Sequence, residues 1–190
     1  MALRSSKQNW GSVTRTLHWL IGLMVLGMLA AGLYAASLDQ STVAGDLEYF
    51  TVIDIHKSFG VLVIVLAAIR VLWRLSEPTP TLAGEVPKWE IVLARVSHLL
   101  LYLGLFALPV SGFLWATAYG EPLRLFGWKL PTIIHVNGVV ANRAHHIHVF
   151  LAFVLLGVVG LHVAGALKNH FSGNNVLRKM LGLRIVGPES

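Results

Sequence analysis

Nine histidines occur in this chain of 190 residues, and five of them (His18, His56, His98, His148 and His162) fall within long apolar runs. Ionisable side chains inside a membrane-length apolar stretch are costly to place and mark functional sites by default. The stretch from His145 to Lys168, HHIHVFLAFVLLGVVGLHVAGALK, carries His148 near its start and His162 near its end, 14 residues apart. In an α-helix that separation is about 21 Å of rise and about 1400° of rotation, within about 40° of whole turns. The two imidazoles therefore share one face, at two depths of a bilayer whose hydrocarbon core is about 30 Å thick. Two ligand positions on one helix need partners on other helices.

Composition says where those helices run. Of the chain, 55% is hydrophobic and only 13% charged, with a mean hydropathy of +0.68. A soluble domain carries about twice that charge fraction. The sequence predicts an all-α membrane protein, one unit over 1–190 with spans at about 17–36, 55–75, 97–118 and 146–167. A signal peptide is rejected for the first span, which is too long for an h-region and lacks a small-x-small cleavage site. Pro109 lies inside the third span and is expected to kink it; proline is tolerated in membrane helices whose neighbours satisfy the freed carbonyl. Segments 38–54 and 119–144 read as loops. The tail 171–190 reads as a short amphipathic segment on the membrane surface. There is no cysteine, which excludes disulfides, Cys-ligated zinc, iron–sulfur clusters and covalently attached c-type haem.

Four spans return both termini to one side. The terminal segments and the loop between spans two and three hold 11 of the 15 bases: Arg4, Lys7, Arg15, Arg70, Arg74, Lys88, Arg95, Lys168, Arg178, Lys179 and Arg184. The opposite side holds Lys57, Arg124, Lys129 and Arg143. The positive-inside rule then predicts a four-helix bundle with both termini cytoplasmic. The net charge of +6 reflects this loop asymmetry and implies no nucleic-acid partner.

Orientation converts sequence position into depth. His18 and His162 fall near the inner face, and His56 and His148 near the outer face. Facing imidazoles at one depth suit the axial positions of a haem iron, each giving one nitrogen to the metal while the other donates to a carbonyl or water. A macrocycle needs room, and Gly22, Gly27, Gly32, Gly157, Gly160 and Gly165 leave it. The plain alternative is that these glycines only permit close helix packing. His145, His146 and His148, with His135 nearby, also suggest a zinc or copper site. Neighbours 145 and 146 diverge by about 100° on a helix, however, and solvated histidines at a helix start are the plainer account. His98 reads either as an interfacial residue or as the lining of a pocket beside the inner pair. His170 reads as interfacial. Arg70 and Arg74 either snorkel to the inner headgroups or meet a haem propionate or quinone carbonyl.

Read together, these segments resemble the bacterial cytochrome b561 family of four-helix, two-haem membrane cytochromes. The resemblance rests on T-L-H-W at 16–19, I-H-K-S-F-G at 55–60 and R-V-L-W-R-L…P-T-P at 70–80. It continues with S-H-L-L-L-Y-L…A-L-P-V-S-G at 97–112, I-H-V-F-L-A at 147–152 and G-L-H-V-A-G-A-L at 160–167. It implies His18, His56, His148 and His162 as ligands of two b-type haems, ubiquinone as electron acceptor, and the bacterial inner membrane as location. Val149 departs from it, because relatives often carry an acid after the outer ligand.

Two functions follow. The first is a superoxide:quinone oxidoreductase, with Arg124, Lys129 and Arg143 steering the small anion to the outer face, and with His98, Arg70, Arg74 and His170 near the quinone. The second is a non-enzymatic cytochrome b relay between the quinone pool and a periplasmic redox protein, such as a basic c-type cytochrome docked on the acidic first loop. A haem-free metal transporter would need carboxylates near the midplane, and the spans contain none.

Overall fold

The computed structural model describes residues 2–80, 86–122, 124–130, 135–174 and 176–183. Four long helices, α1 (Ser12–Ser37), α2 (Val43–Leu75), α3 (Lys88–Tyr119) and α4 (Gly138–Phe171), carry windows of mean hydropathy 2.0, 2.1, 2.0 and 2.4. Each is long and apolar enough to cross a membrane. Large side chains such as Leu23, Leu72, Phe153 and Leu161 stand exposed on their outer faces, as lipid-facing positions require. The core is small: Ile21, Val25, Val63, Ala67, Leu105 and Leu155. The bare Cα of Gly104 lets Leu155 approach; a Cβ there would lie 2.8 Å from Leu155 Cδ1.

The helices overrun the apolar spans. α2 begins at Val43, inside the segment read as an acidic loop, where Thr42 Oγ1 accepts the Gly45 N–H as an N-cap and Asp46 occupies the first turn. Acids are favourable at a helix N-terminus and do not lower helix propensity enough to end one. α4 begins at Gly138, where Asn137 Oδ1 accepts the Val139 and Val140 N–H groups. Hydropathy marks where a helix is lipid-soluble, not where it starts, so the connections at 38–54 and 119–144 are shorter than the sequence suggests. α3 continues as one helix through Pro109.

The connection between α3 and α4 carries a two-stranded hairpin, β1 (Arg124–Leu125) paired antiparallel with β2 (Trp128–Lys129). It turns through Phe126 (φ 48°) and Gly127 (φ 89°), the left-handed geometry that glycine adopts without strain. The tail forms α5 (Val176–Leu181), held to α1 by the Trp19 indole N–H on the Met180 carbonyl at 3.1 Å. Pro131, Arg184 and the tail after residue 183 lie outside the described residues.

α1 packs along α2, α3 along α4, and α2 against α3. Among the described residues, α4 makes almost no close backbone approach to α1 or α2. That separation is where the histidines lie. The end bearing His18 and His162 is called inner below, following the charge asymmetry, and the end bearing His56 and His148 outer.

Candidate functional site

The spacing of His148 and His162 on α4 aims both rings across the separation. His162 meets His18 of α1 with ring centroids 6.1 Å apart, and His148 meets His56 of α2 at 6.2 Å. Both pairs are edge-on rather than stacked. Two metal–nitrogen bonds of about 2 Å and two ring radii of about 1 Å add up to about 6 Å, so either pair has room for one iron between its rings.

The outer pair has its supporting contacts in place. The His148 Nδ1–H donates to the Leu108 carbonyl at 3.0 Å and has Ser111 Oγ at 3.1 Å. A carbonyl only accepts, so Nδ1 carries the ring proton and Nε2 keeps its lone pair for a metal. Gly112 lies against the same ring, and a Cβ there would be 3.0 Å from His148 Cε1. The Trp115 ring stands 6.0 Å away, itself packed on His145 at 4.4 Å. Residues 108, 111, 112 and 115 form one stripe of α3, at the i, i+3, i+4, i+7 spacing of a helix face. The facing His56 ring touches the other small residue of this end: a Cβ on Gly32 would be 3.4 Å from its Cε1. The buried Nδ1 of His56 has no well-formed hydrogen bond, although the Met28 carbonyl lies beside it.

The inner pair is held by a cation. Arg70 of α2 directs Nη2 at His18 Nδ1 (3.3 Å) and Nη1 at the Thr14 carbonyl (3.2 Å). A guanidinium only donates, so His18 Nδ1 accepts and the neutral ring carries its proton on Nε2. A metal at Nε2 would require that proton to move to Nδ1, with Arg70 then beside the ring as a cation and no longer as its donor. His162 also faces His98, with centroids 5.2 Å apart, about 1 Å short of the room an iron needs between two rings. Geometry thus favours His18 over His98 as the partner of His162.

The other predicted residues divide. Arg74 turns away to the Glu77 carbonyl at 3.1 Å, to Thr79 Oγ1 and to the Trp10 ring at 5.2 Å. His170 lies two turns beyond His162, against Phe171. At the outer end Arg124 sits 4.0 Å from Asp54, so its charge is locally balanced, while Lys129 and Arg143 are exposed and make no ion pair among the described residues. His145 and His146 are ring neighbours at 5.4 Å, yet no group of three metal-ligating side chains forms among the described residues. Of the six flagged glycines only Gly32 touches a histidine; Gly22, Gly27, Gly157, Gly160 and Gly165 have nothing within 4 Å of an added Cβ. Beyond the proline at 109 and the S-G pair after it, nothing in the sequence alone marks Leu108, Ser111, Gly112 and Trp115 as neighbours of His148.

A membrane bundle with two depth-matched histidine pairs across an interhelical separation defines a class: membrane cytochromes that hold haem between helices. Comparison agrees. The prokaryotic cytochrome b561 profile matches residues 9–183. Cytochrome b561 homolog 2 of Escherichia coli (strain K12) is 35% identical over 187 residues, 96% of each chain. The probable superoxide oxidase CybB of Yersinia pestis is 30% identical over 166 residues, 86% of this chain and 91% of that one. Cytochrome b561 homolog 1 of E. coli is 26% identical over 167 residues, 86% and 92% of the two chains. The chain belongs to the prokaryotic cytochrome b561 family. It is a multi-pass protein of the bacterial inner membrane that transfers electrons across it, and its family's cofactor is b-type haem.

Proposed function

We propose that the chain holds two haems b, an inner one on His18 and His162 and an outer one on His56 and His148, and that it carries electrons from a periplasmic one-electron donor to membrane quinone. The observation that carries this is the pair of ring separations near 6 Å across the same gap at two depths. Iron held by two imidazoles is coordinatively saturated and supplies outer-sphere one-electron transfer rather than oxygen binding.

The favoured donor is superoxide, making the protein a superoxide:quinone oxidoreductase. Two superoxide ions yield two dioxygen molecules and two electrons, and one quinone takes both electrons with two protons. Lys129 and Arg143 would raise the local concentration of an anion at the outer end, with Arg124 contributing less because of Asp54. The relative named a probable superoxide oxidase supports this reading. At the inner end His98 and Arg70 offer donors to a quinone carbonyl, with Arg74 and His170 farther toward the surface. On this reading both termini lie in the cytoplasm, supported by the loop charge asymmetry.

The relay reading rests on the acids at the outer end, Asp39 in the first connection and Asp46 and Glu48 at the start of α2, as a dock for a basic redox protein. One experiment separates the two: the visible spectrum of the purified holoprotein before and after superoxide is added. Rapid haem reduction supports the oxidase. No reduction by superoxide, with reduction by quinol or by a periplasmic cytochrome, supports the relay. A pyridine-haemochrome value of one haem per chain would refute the paired-ligand arrangement itself.

A further inference from the structure

Glu77 lies just past the inner end of α2 and belongs to no histidine pair, yet its side chain is wholly buried, with 0% exposure. Its Oε1 accepts from Arg4 Nε at 2.8 Å and its Oε2 from the Ser5 backbone N–H. Arg4 and Ser5 are 73 and 72 residues away in sequence, so this carboxylate fixes a long-range fold of the N-terminal segment.

That segment does structural work that α1 does not do for itself. The N-cap of α1 is Gly11, which has no side chain to accept the first helical N–H groups. The Ala2 and Leu3 carbonyls accept from the Ser12 and Val13 N–H groups instead, at 3.0 and 3.4 Å. Ser5 Oγ accepts from the Gly11 N–H at 3.1 Å and lies 3.2 Å from Thr14 Oγ1. Thr14 is itself buried, and its hydroxyl also accepts the Trp73 indole N–H at 3.2 Å. The Thr14 carbonyl is the second anchor of Arg70, whose other nitrogen points at His18. The contacts therefore run without a break from Glu77 through Ser5, Thr14 and Arg70 to His18.

We infer that Glu77 is a positioning residue of the inner centre: by clamping the N-terminal segment over α1 it holds Thr14, and through Thr14 it aims the Arg70 guanidinium at His18. This rests on reading His18 and His162 as the inner haem pair. A cation fixed beside an imidazole that holds haem iron would favour the reduced, less positive iron. Glu77 thus acts on the inner centre from a distance and leaves the outer centre alone.

The test uses purified holoprotein, with Arg70→Gln as the reference variant. The readouts are the low-spin electron paramagnetic resonance signal and the midpoint potential of each haem, together with the rate of tryptic cleavage after Arg4 and Lys7. Glu77→Ala is expected to move the inner signal and potential in the same direction as Arg70→Gln but less far. The outer signal should stay unchanged, and the N-terminal segment should be cut at least tenfold faster. Glu77→Gln should fall between, because its amide oxygen still accepts from Ser5 while the ion pair with Arg4 is lost. If Glu77→Ala does not accumulate, Ser5→Pro reads the same clamp, since it deletes the N–H donor and the hydroxyl but leaves α2 untouched. Faster cleavage with an unmoved inner signal would make Glu77 a latch only and overturn the proposal. Equal shifts at both haems would overturn it as well. An unmoved inner signal in Arg70→Gln would refute the Arg70 link, and a parent protein with a single haem would refute the site reading on which the proposal stands.

Discussion

His148 is held from one helix face, by the Leu108 carbonyl at 3.0 Å, the Ser111 hydroxyl at 3.1 Å and the bare Cα of Gly112. His18, at the other end of the bundle, is held by the Arg70 guanidinium at 3.3 Å, which is in turn anchored on a buried threonine and a folded-back terminus. One environment accepts the ring proton; the other donates to the ring. An acceptor on Nδ1–H makes an imidazole a stronger donor to a metal and favours the oxidised iron, whereas a neighbouring cation favours the reduced one. The same ligand type at two depths is thereby given opposite electronic surroundings. If both pairs bind haem, the inner centre has the higher potential and electrons run downhill from the outer face to the inner one, the direction an outer donor and an inner quinone need.

The largest break in this comparison is removal of a ligand. His56→Ala and His148→Ala should each lower the pyridine-haemochrome value from two haems to one and leave the inner haem reducible by quinol. His18→Ala and His162→Ala should each remove the other haem, leave the outer one reducible from the periplasmic side, and block passage to quinone. His98→Ala should keep both haems, because its ring is too close to His162 for an iron between them. Loss of the same haem in His18→Ala and His56→Ala would show that the pairing is wrong.

A finer break leaves both haems in place. Arg70→Gln deletes the cation and should lower the inner midpoint potential. Ser111→Ala keeps the Leu108 carbonyl but removes the second polar neighbour of His148 Nδ1, and should shift only the outer haem, by less. Redox titration with optical detection measures both. Equal responses at the two centres would remove the basis for the contrast.

Gly112→Ala tests shape instead of charge. Its Cβ would sit 3.0 Å from His148 Cε1, so the ring must move by a few tenths of an ångström. Overpacking of this kind costs about 1–3 kcal/mol. A lower thermal midpoint, with a changed outer-haem signal and an unchanged inner one, is expected.

How much of this was legible before the structure differs from residue to residue. The four apolar spans were, since lipid solubility is a property of composition. The depth matching of His18 with His162 and of His56 with His148 was also legible, because helical rise and loop charge are enough to compute it. The helix starts at Val43 and Gly138 were not, because hydropathy is blind to a polar helix, although Thr42 and Asn137 are ordinary N-cap residues. Gly22, Gly27, Gly157, Gly160 and Gly165 front open space, whereas the contact of Gly112 with the His148 ring depends on helix rotation, which the sequence does not show. The role of Glu77 was beyond reach, since its partners lie more than 70 residues away and the pairing follows no local period.

The smallest expected effect is that of pH on the inner clamp. The Ser5 N–H first, and Arg4 second, hold the Glu77 carboxyl below its ordinary value of 4.5. A carboxyl with a depressed folded-state pKa stabilises the fold fully above its unfolded pKa, and that contribution is lost as pH falls through the folded value. The cations beside it are Arg4, on its carboxylate, and Arg74, on its backbone carbonyl. Between about pH 5 and pH 8 the clamp should therefore stay closed, and the inner-haem signal and the tryptic resistance of the N-terminal segment should not change on its account. As pH falls through the depressed folded-state value the carboxyl takes up its proton, the ion pair with Arg4 is lost, and the segment should become cleavable by an acid-tolerant protease before the outer haem signal changes. Glu77→Gln, which has no proton to gain, should begin with the looser segment and show no such acid step. An acid step of equal size in Glu77→Gln would assign the transition to another group and detach the clamp from the inner centre.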